Sequence, residues 1–254
     1  MPPPPIDFGK AAADYARHRQ GFPPRFYDAL AARRIGLPGQ RIVDLGTGTG
    51  TVARALADRG AIVTGVDVSE SLLAQAKALD PRPTWLRAPA EDTRLPDHAF
   101  DAVTAAQCWH WFDRGKAAAE AKRLLAPKAP LVIAHLDWIS DGGVLDDTVA
   151  LIEQTRGTPL PVPGAGGNGF YPTWPDDVRR QGLTRIELFG FDHELIYTHE
   201  AWRGRIRASA GVGATMSPED VARFDHALAE LLAARYSDPV PVLHRIFVLI
   251  AEVP

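Results

Sequence analysis

The sequence predicts a doubly wound α/β domain over roughly its first 136 residues. Short, nearly continuous apolar runs alternate with segments whose apolar residues recur at helical spacing, and glycines or prolines separate the two. Continuous apolar strands joined by helices are typical of a parallel sheet that is covered on both faces. A chain of 254 residues with 46% hydrophobic residues is long enough to bury such a core.

The alternation begins with a helix predicted over residues 25–34, which two prolines open and Gly36 ends. The predicted strands that follow are residues 41–45, 61–66, 84–86, 100–105 and 131–134. The predicted helices between them are residues 51–59, a segment capped by Ser69, and residues 117–125.

The pattern changes beyond residue 136. A helix is predicted over residues 144–156, whereas residues 157–175 are dense in glycine and proline, which favours a functional loop or cover. The remaining predicted elements are a strand at residues 183–197 with a kink at Gly190, a helix from Ser217 to about residue 235, and a strand at residues 240–253.

Charge and cysteine content narrow the class of protein. The net charge of −3 comes from 28 basic and 31 acidic residues mixed along the chain, which argues against a nucleic-acid partner. Cys108 is the single cysteine, so an internal disulfide and a multi-cysteine metal site are excluded. No apolar stretch has the roughly 20 residues that cross a bilayer, and the proline-rich start is unlike a signal peptide. We therefore expect a cytoplasmic protein without a membrane partner, of unknown oligomeric state.

A glycine-rich turn at residues 44–50 (DLGTGTG) lies between a predicted strand and a predicted helix. Glycines allow a tight turn and a close approach of a ligand, and open α/β sheets bind ligands at the carboxyl ends of their strands. Asp67 ends the next strand at about the 20-residue offset from which a carboxylate accepts hydrogen bonds from ribose hydroxyls. Together these features predict a nucleoside site without specifying the nucleoside.

Two cofactor classes fit this site. Residues 48–53 (GTGTVA) match the dinucleotide-binding pattern, so an NAD(P)-dependent oxidoreductase is one alternative. Asp44, directly before the glycines, would repel a pyrophosphate but would tolerate a cationic ligand without phosphates. No tyrosine is followed four residues later by lysine, which removes one common dehydrogenase arrangement. The residues favour a sulfonium nucleoside.

Residues 43–50 resemble the first motif of class I S-adenosylmethionine (SAM) dependent methyltransferases, and residues 65–69 (GVDVS) resemble the second. Residues 90–96 are similar to the segment that passes the adenine, and residues 100–103 to the fourth strand. The run at residues 107–113 (QCWHWFD) resembles a bacterial, small-molecule subset related to trans-aconitate methyltransferases. The N-terminal residues 15–23 resemble the cap of that subset, and the likeness covers roughly residues 8–136.

The resemblance implies a Rossmann-like, doubly wound, seven-stranded and mostly parallel sheet with an antiparallel C-terminal strand and a helical cap or lid. It divides the chain into four segments: N-terminal cap helices at residues 1–36, a SAM-binding core at 37–136, a lid or substrate-pocket insertion with a core strand at 137–216, and a C-terminal helix and closing strand at 217–254.

The resemblance also implies which residues bind SAM. The glycines and Asp44 would lie beside its methionine part, with Asp44 bonding the amino group directly or through water. Asp67 would hold the ribose hydroxyls, and Gln107 would lie near the sulfonium and the carboxylate. Arg19 suits a carboxylate, although a solvated helix-face arginine is the alternative. Val68 would lie against the adenine face, and Ala90 and Glu91 would lie at the adenine edge unless Glu91 is turned away. The full implied set is Tyr15, Arg19, Asp44, Gly46, Thr47, Gly48, Asp67, Val68, Ala90, Glu91 and Gln107.

His110 is the candidate general base, because an imidazole titrates near neutral pH. The alternative is that it only packs between its neighbouring tryptophans, and Cys108 is expected to be a small buried filler. No histidine pair has metal-ligand spacing, so no metal is required. Phe170, Tyr171, Trp174 and Trp202 either line a substrate pocket or anchor the surface.

The function implied is methyl transfer from SAM to a small-molecule acceptor by in-line displacement, with S-adenosylhomocysteine (SAH) as product. A base is needed only where the acceptor must lose a proton. The alternatives are an enzyme that cyclises or cleaves SAM, the oxidoreductase, and a non-catalytic SAM-binding protein.

Overall fold

The structure is a computed structural model that describes residues 21–159, 169–209, 211–213 and 215–254. These residues form two compact units. The sheet unit comprises residues 21–137, 169–191 and 245–254, and the helical unit comprises the described parts of residues 138–168 and 192–244. Tyr15 and Arg19 lie outside the described residues. Among the described residues, no helix is long and apolar enough to cross a membrane.

A seven-stranded sheet has the strand order β3-β2-β1-β4-β5-β7-β6. The strands are β1 (Arg41–Leu45), β2 (Ile62–Asp67), β3 (Thr84–Arg87), β4 (Ala102–Ala106), β5 (Pro130–Trp138), β6 (Thr184–Tyr197) and β7 (Val240–Glu252). β1 pairs in parallel with both β2 and β4, and β3 and β5 extend the parallel sheet on either side. The N–H of Val253 donates to the carbonyl of Ala129, next to the start of β5, so β7 runs antiparallel to its neighbour. The predicted fold class is confirmed.

Four of the helices described begin where a side chain accepts a hydrogen bond from a free backbone N–H group. Ser69 caps one helix through the N–H of Leu72, and Asp113 caps the next through the N–H of Lys116. The helices are α1 (Pro24–Ala31), α2 (Thr51–Asp58), α3 (Glu70–Leu79), α4 (Arg114–Leu124), α5 (Val144–Arg156), α6 (Trp174–Arg180), α7 (His199–Arg207) and α8 (Pro218–Arg235), with a 3₁₀ turn at Trp109–Trp111.

The structure differs most from the predicted secondary structure at β5, α6 and α7. β5 continues four residues beyond the predicted end at residue 134. The prediction stopped too early because His135 and Asp137 are polar and interrupt the apolar run. α6 begins at Trp174, inside the segment predicted to be irregular, with proline near its N-terminus and acids in its first turn. α7 was not predicted, because its sequence is mostly polar. The large apolar side chains that it buries are those of Trp202 and Ile206, too few to give a clear helical pattern.

The core of the sheet unit lies along the central strands. Ile42, Val43 and Leu45 of β1 are fully buried, as expected for a strand covered on both faces. In the helical unit, α5 and α7 each pack against α8. Trp202 is fully buried there, and its indole N–H donates to the hydroxyl of Thr148. Trp202 is therefore a core residue of the helical unit.

Candidate functional site

The glycine-rich turn follows β1 at the carboxyl edge of the sheet. Gly46, Gly48 and Gly50 have φ values of +63°, +59° and +76°, the left-handed region that glycine adopts without a steric penalty. A Cβ added to Gly46 would lie 2.7 Å from Cys108 Cβ and 2.9 Å from Phe112 Cζ. The turn therefore packs directly against the loop that follows β4.

Asp44 lies beneath this turn and is 2% exposed. Its Oδ2 accepts a hydrogen bond from the Thr47 hydroxyl and its Oδ1 accepts one from the Thr104 hydroxyl, both at 2.6 Å. Burial raises the pKa of Asp44 to about 6, although the two hydroxyl hydrogen bonds oppose that shift. Asp44 therefore fixes the turn through Thr47, and its implied contact with an amino group, direct or through water, stays a prediction.

Asp67 joins the end of β2 to the same turn. Its Oδ2 accepts the N–H of Gly48 and its Oδ1 accepts the N–H of Ser69, both at 2.8 Å. A carboxylate has about four lone-pair positions, so two remain for ligand hydroxyls. The adjacent Val68 is 63% exposed, an apolar side chain beside a fixed carboxylate. These residues fit a ribose with an adenine at its side.

The segment expected at the adenine edge is held by α4. Ala90 is buried, and the carboxylate of Glu91 accepts the N–H of Asp113 at 2.9 Å, so Glu91 is turned toward the start of that helix. Glu120 of α4 accepts hydrogen bonds from both the N–H and the hydroxyl of Thr93. The backbone near Ala90 is therefore fixed without using Glu91 as a ligand contact.

Gln107 follows β4 with a φ of +65°, which is unusual for a residue with a side chain. Its backbone N–H donates to Ala134 O at 2.9 Å and its side-chain amide donates to Leu136 O at 3.0 Å. Such a conformation costs on the order of 1–3 kcal/mol and persists where surrounding contacts determine it. The two hydrogen bonds fix Gln107 at the same edge of the sheet as the glycine turn.

His110 does not simply pack between tryptophans. Its Nδ1 lies 3.3 Å from Nε2 of His135, a residue of β5 that the sequence reasoning did not assign to the site. Nδ1 of His135 lies 2.9 Å from Asp137 Oδ1 and 2.8 Å from the Tyr171 hydroxyl. We refer to His110, His135, Asp137 and Tyr171 as the histidine cluster.

Aromatic residues enclose the buried end of this cluster. Tyr171 stacks on Trp174 with ring centroids 3.7 Å apart, and Phe247 contacts both rings. Burial and the charge of Asp137 raise the pKa of Tyr171 above its ordinary value, so its hydroxyl stays protonated. Trp109 is fully buried, whereas Trp111 and Phe170 are exposed. Of the residues expected to line a pocket, Tyr171 and Trp174 therefore support the cluster.

One signal in the sequence was available for the cluster. His135 and Asp137 are two residues apart, so they share one face of a strand. The predicted strand ended at residue 134, and this pattern was therefore missed. No signal placed Tyr171 beside them, because that contact joins segments distant in sequence.

Comparison with known proteins identifies the family of this chain. Residues 43–133 match the profile of a family described as a methyltransferase domain. "Uncharacterized methyltransferase Rv3342" of Mycobacterium tuberculosis is 30% identical over 223 residues, which cover 77% of this chain and 88% of that protein. The chain belongs to the methyltransferase family. SAM is the cofactor of such an enzyme, and the glycine turn, Asp67 and Val68 fit it.

Other relatives match shorter parts of the chain. The demethylmenaquinone methyltransferase of Thermus thermophilus is 43% identical over 103 residues, 37% of this chain and 46% of that protein. A structure described as a putative type II methyltransferase from Anaeromyxobacter dehalogenans has a TM-score of 0.68 at 23% identity, covering 93% of this chain and 99% of its own. At that identity the structural likeness shows the fold alone. These methyltransferase matches favour methyl transfer over the other predicted activities.

Proposed function

We propose that this methyltransferase, of the class EC 2.1.1, methylates a small-molecule acceptor that loses a proton in the reaction. The observation that carries the proposal is the direct packing of the glycine turn at Gly46 against the loop that bears His110. When bound, SAM supplies a methyl group that the positive charge on its sulfur makes reactive. The relative named as a demethylmenaquinone methyltransferase supports an acceptor of small-molecule type.

The cofactor-binding roles rest on the carboxyl edge of the sheet. Asp67 would accept hydrogen bonds from the ribose hydroxyls, and Val68 and Ala90 would contact the adenine. Gly46 and Gly48 would leave backbone room for the methionine part, near Gln107. The roles of Tyr15 and Arg19 stay predictions. The same holds for the four predicted segments, for the assignment to the trans-aconitate-related subset, and for a cytoplasmic location.

His110 is the proposed general base. It lies in the loop that contacts Gly46, and it is partly exposed, so its ring can reach a bound acceptor. A base accelerates a step in which a proton leaves, typically by about 10²–10⁴-fold. A carboxylate acceptor needs no base, whereas a hydroxyl or carbon acceptor must give up a proton. His110 therefore favours a hydroxyl or carbon acceptor.

The experiment that tests the function has two parts. Calorimetry with SAM, SAH, NADH and NADPH should show binding of SAM and SAH alone, because Asp44, directly before the glycine turn, would repel a pyrophosphate. Incubation with methyl-labelled SAM and matched acceptor pairs, such as p-cresol and p-toluate, should then label the phenol and yield SAH. Binding of nicotinamide cofactors alone, formation of methylthioadenosine, or labelling of the carboxylate alone would contradict the proposal.

A further inference from the structure

The buried half of the histidine cluster has only one consistent arrangement of protons. The Tyr171 hydroxyl lies 2.7 Å from Asp137 Oδ2 and donates its single proton there, because an ionised carboxylate only accepts. Asp137 Oδ1, 2.9 Å from His135 Nδ1, likewise needs a donor. His135 must therefore carry a proton on Nδ1, which the carboxylate and the tyrosine oxygen share.

With His135 neutral, this arrangement also fixes the outer half of the cluster. Neutral His135 with its proton on Nδ1 has a lone pair on Nε2, and that atom lies 3.3 Å from His110 Nδ1. The contact is a hydrogen bond only if His110 carries its proton on Nδ1. The lone pair of neutral His110 is then on Nε2, the ring atom on the side away from His135.

We propose that Asp137, Tyr171 and His135 are positioning residues that hold His110 as the Nδ1-protonated tautomer, with Nε2 as the base. This inference rests on the proposed function and names how the same site removes a proton. In that step a bond forms between His110 Nε2 and the acceptor's proton, while the acceptor's O–H or C–H bond breaks and its electron pair stays on the acceptor. The proton later passes to water.

The charge that His110 gains in this step is balanced through the cluster. Its Nδ1–H donates to His135, whose own Nδ1–H donates to the negative Asp137. His135 is buried against Tyr171 and Trp174, and a buried, weakly polarisable environment strengthens such a chain of polar contacts. The cluster is therefore suited to proton transfer.

The test measures tautomers in the cofactor-free protein, so it does not depend on turnover. Histidine labelled with ¹⁵N gives a separate long-range ¹H–¹⁵N pattern for each tautomer, and His110→Gln and His135→Gln assign the signals. In the wild-type protein, His110 and His135 should both carry the proton on Nδ1. If His110 in the wild-type protein carries its proton on Nε2 instead, that measurement alone overturns the inference.

Asp137→Asn provides the directed test. The Tyr171 hydroxyl needs the amide oxygen as its acceptor, so the amide nitrogen faces His135 Nδ1 and donates to it. The His135 proton therefore moves to Nε2, and His110 must accept it on Nδ1. The His110 proton then moves to Nε2 and the base is lost. Asp176→Asn is the matched control, because Asp176 is exposed on α6 and its variant removes the same charge. That control should leave both tautomers unchanged, and an unchanged His110 tautomer in folded Asp137→Asn would contradict the inference.

Calorimetry separates this inference from the proposed function. Wild type, Asp137→Asn and Asp176→Asn should bind SAH with dissociation constants within about threefold, since none of these residues is assigned to the cofactor. If the wild-type protein does not bind SAH, the proposed function is contradicted. Normal SAH binding with the wrong His110 tautomer would contradict the positioning role alone.

Discussion

The carboxylate of Asp67 accepts a hydrogen bond from the backbone N–H of Gly48 at 2.8 Å. This bond joins the end of β2 to the turn after β1, so the two cofactor motifs of the sequence form one surface. The residue expected to bind ribose therefore also supports the glycine turn. A change at Asp67 acts on both the ligand contact and the shape of the turn.

Asp67→Asn should weaken the binding of SAM by about 10- to 100-fold. The variant keeps the size of the side chain but removes the charge, and a hydrogen bond to a charged group contributes about 1.5–3 kcal/mol. Calorimetric titration with SAM measures the change. Glu70→Gln is the control, because Glu70 begins α3 and its side chain is 80% exposed. Equal affinities of Asp67→Asn and wild type would remove the ribose role.

Gly46→Ala should destabilise the protein more than Gly39→Ala. Both glycines have positive φ values, +63° and +81°, so both variants place a side chain in the left-handed region. A Cβ at residue 46 meets Cys108 and Phe112, whereas one at residue 39 meets nothing within 4 Å. Overpacking adds about 1–3 kcal/mol to the cost at residue 46. Urea denaturation of the two variants measures the difference, and equal losses would show that the packing contact is unimportant.

Asp44 should make the free energy of unfolding fall as pH rises from about 4 to about 6. Burial raises the pKa of Asp44 from 3.8 to about 6, so in this interval the folded protein binds more protons than the unfolded chain. The stabilisation is complete below the unfolded-state pKa of 3.8 and is lost above the folded-state pKa of about 6. A pKa shift of about two units corresponds to about 3 kcal/mol of unfolding free energy.

Asp44→Asn provides the measurement for this prediction, because an amide does not titrate. The difference in unfolding free energy, wild type minus variant, should decline between pH 4 and 6 and stay level from pH 7 to 8. A difference that is independent of pH throughout would mean that folding does not raise the pKa of Asp44.

His110→Gln should lower kcat for an acceptor that loses a proton by about 10²-fold or more, because the variant has no base at this position. The affinity for SAM should change by less than about threefold, since His110 is not assigned to the cofactor. His226→Gln, at a side chain that is 80% exposed on α8, should leave both quantities unchanged. An unaltered kcat in His110→Gln would return His110 to a packing role.

Local sequence patterns were sufficient for several elements of both units. β1 has the predicted bounds, since Gly39 precedes it and Gly46 ends it, and α5 has the predicted bounds because Gly143 and Gly157 flank it. Ser69 and Ser217 were identified as helix caps, and both accept the expected backbone hydrogen bond. These signals act between residues a few positions apart, so the chain segment itself contains them.

Segments stabilised by distant contacts were predicted less well. α7 carries the signal of a cap, since the Thr198 hydroxyl accepts the N–H of Ala201, but its charged residues conceal an apolar face. Trp202 becomes a core residue through its contacts with Trp138, Tyr197 and Thr148. Periodicity within α7 contains no information about those partners.

The sequence by itself determined the fold class, the strand-and-glycine motif and the acidic residue that follows it, because each depends on backbone geometry over a few residues. It also singled out His110 as a candidate base. Only the tertiary structure showed that His135, Asp137 and Tyr171 lie beside His110, because these three residues come from a strand and a later segment that folding brings together. Hydrogen bonds between such segments depend on positions within a few tenths of an ångström, which residue spacing does not specify.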